Sequence, residues 1–91
     1  MSHTRAAQKE LVARVRRISG QLASVERALE EDAECDTILH LVAGARGALN
    51  GLMDEILADF VREHVAAPRL SPAARQKAAD ELLAAIRRYA K

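Results

Sequence analysis

The stretch AECDTILHLVAGARGALNGLMDEILADFVREHV, residues 33–65, decides the fold. Its apolar residues recur at helical spacing in two adjacent stripes, which predicts one long helix with a wide apolar surface. The first stripe consists of Ile38, Leu41, Ala45, Ala48, Leu52 and Ile56, and the second of Val42, Leu49, Met53 and Phe60. Such a surface is wider than one neighbouring helix covers, so we expect it to pack against more than one partner.

Helices are also predicted on both sides of this stretch, so the expected fold class is all-α. The three helices are expected over about residues 5–30, 33–66 and 72–90, within a single domain of residues 1–91. Apolar residues in the first helix alternate spacings of four and three positions, at Leu11, Val15, Ile18, Leu22, Val25 and Leu29. Asp32 or Asp36 is expected to cap the second helix, and Ser71 followed by Pro72 to begin the third.

The composition restricts the class of protein. The chain has 91 residues and a single cysteine, which excludes an internal disulfide and fits a reducing compartment. No apolar run has membrane-spanning length, and the polar start MSHTRAAQKE is unlike a secretory signal. No acid–base pair or nucleophile triad is apparent. We therefore expect a soluble cytoplasmic protein that is not an enzyme and does not bind membranes.

Charge is strongly segregated along the chain although the net charge is +1. Residues 1–20 and 67–91 are basic, with a net charge of +4 each, whereas residues 21–36 carry −5. If folding gathers the basic ends on one face, that face is suited to a polyanion. A solvated helix surface explains the same pattern, and charge alone leaves the two interpretations open.

Cys35 and His64 lie at opposite ends of the predicted second helix. A helix rising about 1.5 Å per residue separates them by roughly 43 Å, whereas a metal–ligand bond is about 2 Å long. Two antiparallel copies of this helix that cross near residues 49 and 50 bring Cys35 of one chain to His64 of the other. A buried cysteine and a helix-end histidine without a shared function are the alternative.

Two segments, RVRRISGQL (residues 14–22) and AECDTILHLVAGARGALNGLM (residues 33–53), resemble the CsoR/RcnR/FrmR family of bacterial repressors. The resemblance covers nearly the whole chain. It implies three-helix protomers that form antiparallel dimers through helix 2 and assemble into flat tetramers. It also implies a repressor that binds operator DNA and releases it when a metal ion or reactive small molecule occupies a site between protomers.

The resemblance also implies the effector ligands. The nickel/cobalt branch uses the N-terminal amine, a following histidine, the cysteine and two histidines of helix 2. The positions that match in this chain are Ser2, His3, Cys35 and His64, where Ser2 supplies the amine once the initiator Met is removed. Phe60 stands where the remaining histidine is expected. The copper-sensing Cys–His–Cys triad is absent. The resemblance thus implies nickel, cobalt or zinc as effector, with no structural cofactor.

Formaldehyde is the alternative effector. In the formaldehyde branch a methylene group bridges the cysteine thiol and the N-terminal amine, which are Cys35 and Ser2 here. Phe60 weakens a metal site more than a covalent one, whereas His3 and His64 have a clear purpose only in metal binding.

DNA contacts are implied mainly for basic residues of helix 1. The motif match makes Arg14, Arg17 and Gln21 the best candidates, and Arg16, Arg46 and Lys91 further ones. Arginine and glutamine can hydrogen-bond base edges, but most basic contacts are made to phosphate. A helical interaction module that does not bind DNA is the alternative class.

Overall fold

Three α-helices make up the computed structural model, which describes residues 5–89. They are α1 (Arg5–Glu30), α2 (Cys35–His64) and α3 (Pro72–Tyr89). The predicted all-α class is confirmed, and residues 5–89 include no strand. The second helix begins at Cys35 rather than near residue 33 and ends at His64 rather than near residue 66. Over the same described range, every helix is too short or too polar to cross a membrane.

The apolar residues predicted to form one stripe of α1, called its seam below, are only partly buried within the protomer. Ile18, in the middle of the seam, is 5% exposed. The other seam residues are half-buried Leu11 and Val25, and exposed Val15, Leu22 and Leu29. The helix therefore buries a narrow part of its apolar face within the chain.

The end of α1 is a Schellman motif with Asp32 in the left-handed conformation, at φ 56°. The N–H of Asp32 donates to the carbonyl of Leu29 at 3.3 Å, and the N–H of Ala33 donates to the carbonyl of Ala28 at 2.9 Å. These bonds satisfy carbonyls that lack partners at a helix end. The prediction that Asp32 caps α2 is therefore wrong, because its backbone closes α1 instead.

The N-terminus of α2 places Cys35 in the first turn. The carbonyl of Glu34 accepts a hydrogen bond from the N–H of Ile38 at 3.2 Å. Asp36, the other expected cap, lies within the first turn, where its Oδ1 accepts a hydrogen bond from the N–H of Thr37 at 2.9 Å. A carboxylate at this end of a helix complements the helix dipole.

We expect Asp32→Gly to raise the free energy of unfolding by up to about 1 kcal/mol. The left-handed conformation costs a residue with a Cβ about 1–2 kcal/mol, of which the greater unfolded-state entropy of glycine offsets about 0.5–1 kcal/mol. Urea denaturation measures the difference. Asp32→Ala is the control, because it removes the carboxylate and keeps the Cβ; a glycine variant no more stable than the alanine variant would contradict the expectation.

The predicted start of α3 is confirmed. The Ser71 Oγ accepts a hydrogen bond from the N–H of Ala74 at 3.1 Å, and Pro72 is the first helical residue. One turn into the helix, Arg75 donates from Nη2 to the carbonyl of Ala67 at 3.0 Å. The loop before α3 is thereby tied to its first turn.

The described residues fall into two compact units, residues 5–55 and residues 56–89. The buried residues of the first unit are Ile18, Ala28 and Ala45, and Ala78 is buried in the second. The large exposed apolar residues are Val12, Val15, Leu22, Leu29, Leu39, Val42, Leu49 and Met53 in the first unit, and Ile56, Val61, Leu83, Ile86 and Tyr89 in the second. Each unit therefore presents apolar surface of the kind that other chains cover in an assembly.

Candidate functional site

A surface concavity of about 420 Å³ brings together three of the residues predicted to contact DNA, Arg14, Arg17 and Gln21. All three lie on α1 at spacings that place them on one face of the helix. The other lining residues are Ile18, Gly20, Ser24 and Ala48. No carboxylate is among the described residues that line it. Guanidinium and amide groups gathered in this way can donate hydrogen bonds to phosphates and base edges.

The side chain of Arg14 reaches from α1 to α2. Its Nη2 lies 4.0 Å from Oε1 of Glu55, and both side chains are partly exposed. Its Nη1 lies 3.3 Å from the position that a Cβ would take on Gly51. Because Gly51 and Glu55 are one helical turn apart, the guanidinium lies along a single face of α2.

A second concavity, of about 360 Å³, adjoins the same two arginines. It is lined by Glu10, Ala13, Arg14, Arg17 and Glu55. Arg14 and Arg17 thus border two concavities that differ in whether carboxylates line them. One is lined by the carboxylates Glu10 and Glu55, and the other has no carboxylate among its described lining residues.

The remaining predicted DNA contacts lie elsewhere. Arg16 lines a separate concavity of about 700 Å³ on α1, together with Arg5, Gln8, Lys9, Val12 and Ala13. Arg46 is exposed on α2. Lys91 lies outside the described residues. The structure therefore groups the three residues favoured by the motif and does not place Arg16 with them.

Cys35 and His64 are the first and last residues of α2. Cys35 is a free, exposed thiol. His64 is half-buried, and its ring centroid lies 4.9 Å from that of Phe60, with the ring planes tilted by 46°. Ser2 and His3 lie outside the described residues. Within residues 5–89 of one chain, no three histidine, cysteine or acidic side chains are placed together to hold a metal ion.

Glu55 and Gly51 are neighbours of Arg14 that sequence reasoning missed. Their contacts join α1 to α2, so they depend on how the two helices pack and not on a local motif. The sequence signal was weak: a glycine stands one turn before a glutamate on the predicted α2.

Comparisons with known proteins agree on one family. The family model for metal-sensitive transcriptional repressors matches residues 7–88. The chain is 48% identical over 91 residues, the full length of both proteins, to an uncharacterized protein in the bioA 5′ region of Serratia marcescens. It is 35% identical, again over the full length of both, to the transcriptional repressor RcnR of Salmonella paratyphi B.

A solved structure gives the same result. A variant of the formaldehyde-responsive regulator FrmR from Salmonella enterica serovar Typhimurium matches with a TM-score of 0.89 and 37% sequence identity. The match covers 96% of this chain and 98% of that one.

Proposed function

We propose that this chain, which belongs to the family of metal-sensitive transcriptional repressors, binds operator DNA. We propose further that it releases the DNA when a nickel, cobalt or zinc ion binds. Members of this family are transcriptional repressors and not enzymes, which confirms the expectation that this chain is not an enzyme. We place it in the cytoplasm, because a repressor acts in the compartment that holds its DNA.

The concavity that contains Arg14, Arg17 and Gln21 is the observation that carries the DNA part of the proposal. Two cations and an amide on one helix face can contact a phosphate backbone and reach a base edge from a single direction. Replacing phosphate counterions by arginines makes DNA affinity fall as salt rises. The grouping of two guanidinium groups on one face therefore favours a DNA-binding protein over a helical module that does not bind DNA.

The effector site requires two chains. Cys35 and His64 terminate a continuous helix, so a second α2 in antiparallel orientation supplies the missing partner at each end. Such a pair crosses near residues 49 and 50. Val42, Leu49 and Met53 share the helix face of Cys35 and are exposed in the protomer, so this apolar face is open to a second α2.

The donors of this two-chain site suit borderline metal ions. A cysteine thiolate and a histidine nitrogen are ligands that nickel, cobalt and zinc accept. Once the initiator Met1 is removed ahead of the small Ser2, the N-terminal amine of Ser2 and the imidazole of His3 complete the proposed set. Phe60 contributes no donor, so the set is smaller than that of the nickel/cobalt branch.

Formaldehyde is the second candidate effector, because the solved relative is described as formaldehyde-responsive. The exposed thiol of Cys35 is accessible to a small electrophile. One formaldehyde molecule, the thiol and the Ser2 amine would form an S–CH₂–N bridge and release one water molecule. This chemistry needs neither histidine, whereas the metal proposal uses both.

Operator release by each effector tests the proposal. The purified protein first selects its preferred duplex from a random library, and release of that duplex is measured with nickel, cobalt, zinc, copper(I) and formaldehyde. We expect release by nickel, cobalt or zinc and affinity that falls with salt. Release by formaldehyde alone would establish the second candidate instead, and failure to select any duplex would exclude a DNA-binding repressor.

Phe60→His is expected to tighten metal binding by about tenfold or more, because it adds an imidazole one turn before His64. Metal titration of the two proteins measures the change. Equal affinities would show that position 60 does not face the metal.

A further inference from the structure

We infer that Glu55 competes with DNA phosphate for Arg14, so that α2 itself lowers the DNA affinity of the protein. This inference rests on the proposed function, in which Arg14 contacts DNA. It assigns a role to a carboxylate on the same helix as Cys35 that the proposed function leaves unused.

The first support is the ion pair itself. Arg14 and Glu55 approach to 4.0 Å, and their side chains remain 38% and 46% exposed. Water and salt reach a pair of this kind, so its strength is modest and its partners can exchange. A phosphate is a competing anion that accepts two parallel hydrogen bonds from the same guanidinium.

The second support is the shape of α2 beneath Arg14. The guanidinium lies close to Gly51, with Nη1 3.3 Å from the place of a missing Cβ. Because this position lacks a side chain, Arg14 has room to lie along α2 and reach Glu55 one turn further on.

The third support is the arrangement of the two concavities. On one side of Arg14 and Arg17 lie the carboxylates of Glu10 and Glu55, and on the other lie Gln21 and Ser24. A guanidinium that turns toward the carboxylates leaves the side that suits DNA. Glu55 and a DNA phosphate therefore compete for the same guanidinium group.

The test compares Glu55→Gln with Asp54→Asn, using the duplex that the wild-type protein selects. Both substitutions remove one negative charge from adjacent positions of α2, and Asp54 is exposed. We expect Glu55→Gln to bind the duplex about two- to fivefold more tightly than Asp54→Asn, the range that an exposed ion pair supports. The same or lower affinity for Glu55→Gln would overturn the inference.

A double-mutant cycle identifies Arg14 as the residue through which Glu55 acts. In an Arg14→Ala background, Glu55→Gln is expected to bind no more tightly than Asp54→Asn. A gain that persists without Arg14 would contradict the proposed competition. The salt dependence gives a further check, because the advantage of Glu55→Gln should shrink as salt screens the ion pair.

These results separate the inference from the proposed function. If the wild-type protein selects no duplex, the proposed function fails. If it binds a duplex and the Glu55 and Asp54 variants bind alike, only the competition between Glu55 and phosphate fails.

Discussion

A Leu49→Glu variant is expected to stay monomeric at concentrations at which we expect the wild-type protein to form the proposed α2 dimer. Leu49 is 47% exposed in the protomer and lies beside the proposed crossing point of two α2 helices. In a two-fold dimer both copies of this leucine lose water contact, each contributing about 1.5–3 kcal/mol. The substitution removes both contributions and brings two carboxylates together. The dissociation constant should therefore rise by at least about a hundredfold.

Sedimentation equilibrium measures this change, with Leu83→Glu as the matched control. Leu83 has a similar exposure of 49% but belongs to α3. We expect the control to retain the α2-mediated dimer. A Leu49→Glu protein that sediments like the wild type would show that α2 does not form the dimer interface.

Cys35→Ala is expected to abolish release of DNA by the effector and to leave DNA affinity unchanged. The thiol is exposed, so its removal leaves no cavity in the core. Allosteric coupling in regulatory proteins typically changes affinity by about 5- to 150-fold, and here that factor should fall to about one. Fluorescence anisotropy of the selected duplex, with and without effector, measures both quantities.

Two further variants serve as controls for this prediction. Cys35→Ser keeps a small polar group but lacks a thiolate, and it should respond as poorly as the alanine variant. His40→Ala removes an exposed imidazole of α2 that belongs to no proposed site, and it should respond fully. If Cys35→Ala lost DNA binding itself, the cysteine would be a structural residue.

Local chemistry made the helices predictable from sequence. The apolar spacing of α1 and α2 and the Ser71–Pro72 start of α3 act within a few residues, so they can be recognised without knowing the tertiary structure. The prediction for Asp32 was wrong because aspartate is common both at helix starts and in the left-handed conformation. Only the backbone angle φ distinguishes these two roles.

The candidate site was predictable only in part. The resemblance selected Arg14 and Arg17, and helical spacing explains why they share a concavity. Glu55 was not predictable, because its contact with Arg14 links residues far apart in sequence. The proposed pairing of Cys35 with His64 cannot be found within one chain, because these residues are the first and last of a single helix.

Gly44 and Gly47 leave open space around α2 in the protomer. A glycine inside a helix costs about 1 kcal/mol relative to alanine, so the separate chain would be more stable with alanine at both positions. Both positions lie on the side of α2 that carries Gly51, roughly opposite to Leu49, so added methyl groups would stay clear of the proposed contact between two α2 helices. A redesign that considered the protomer alone would therefore strengthen the helix here without weakening the proposed pairing.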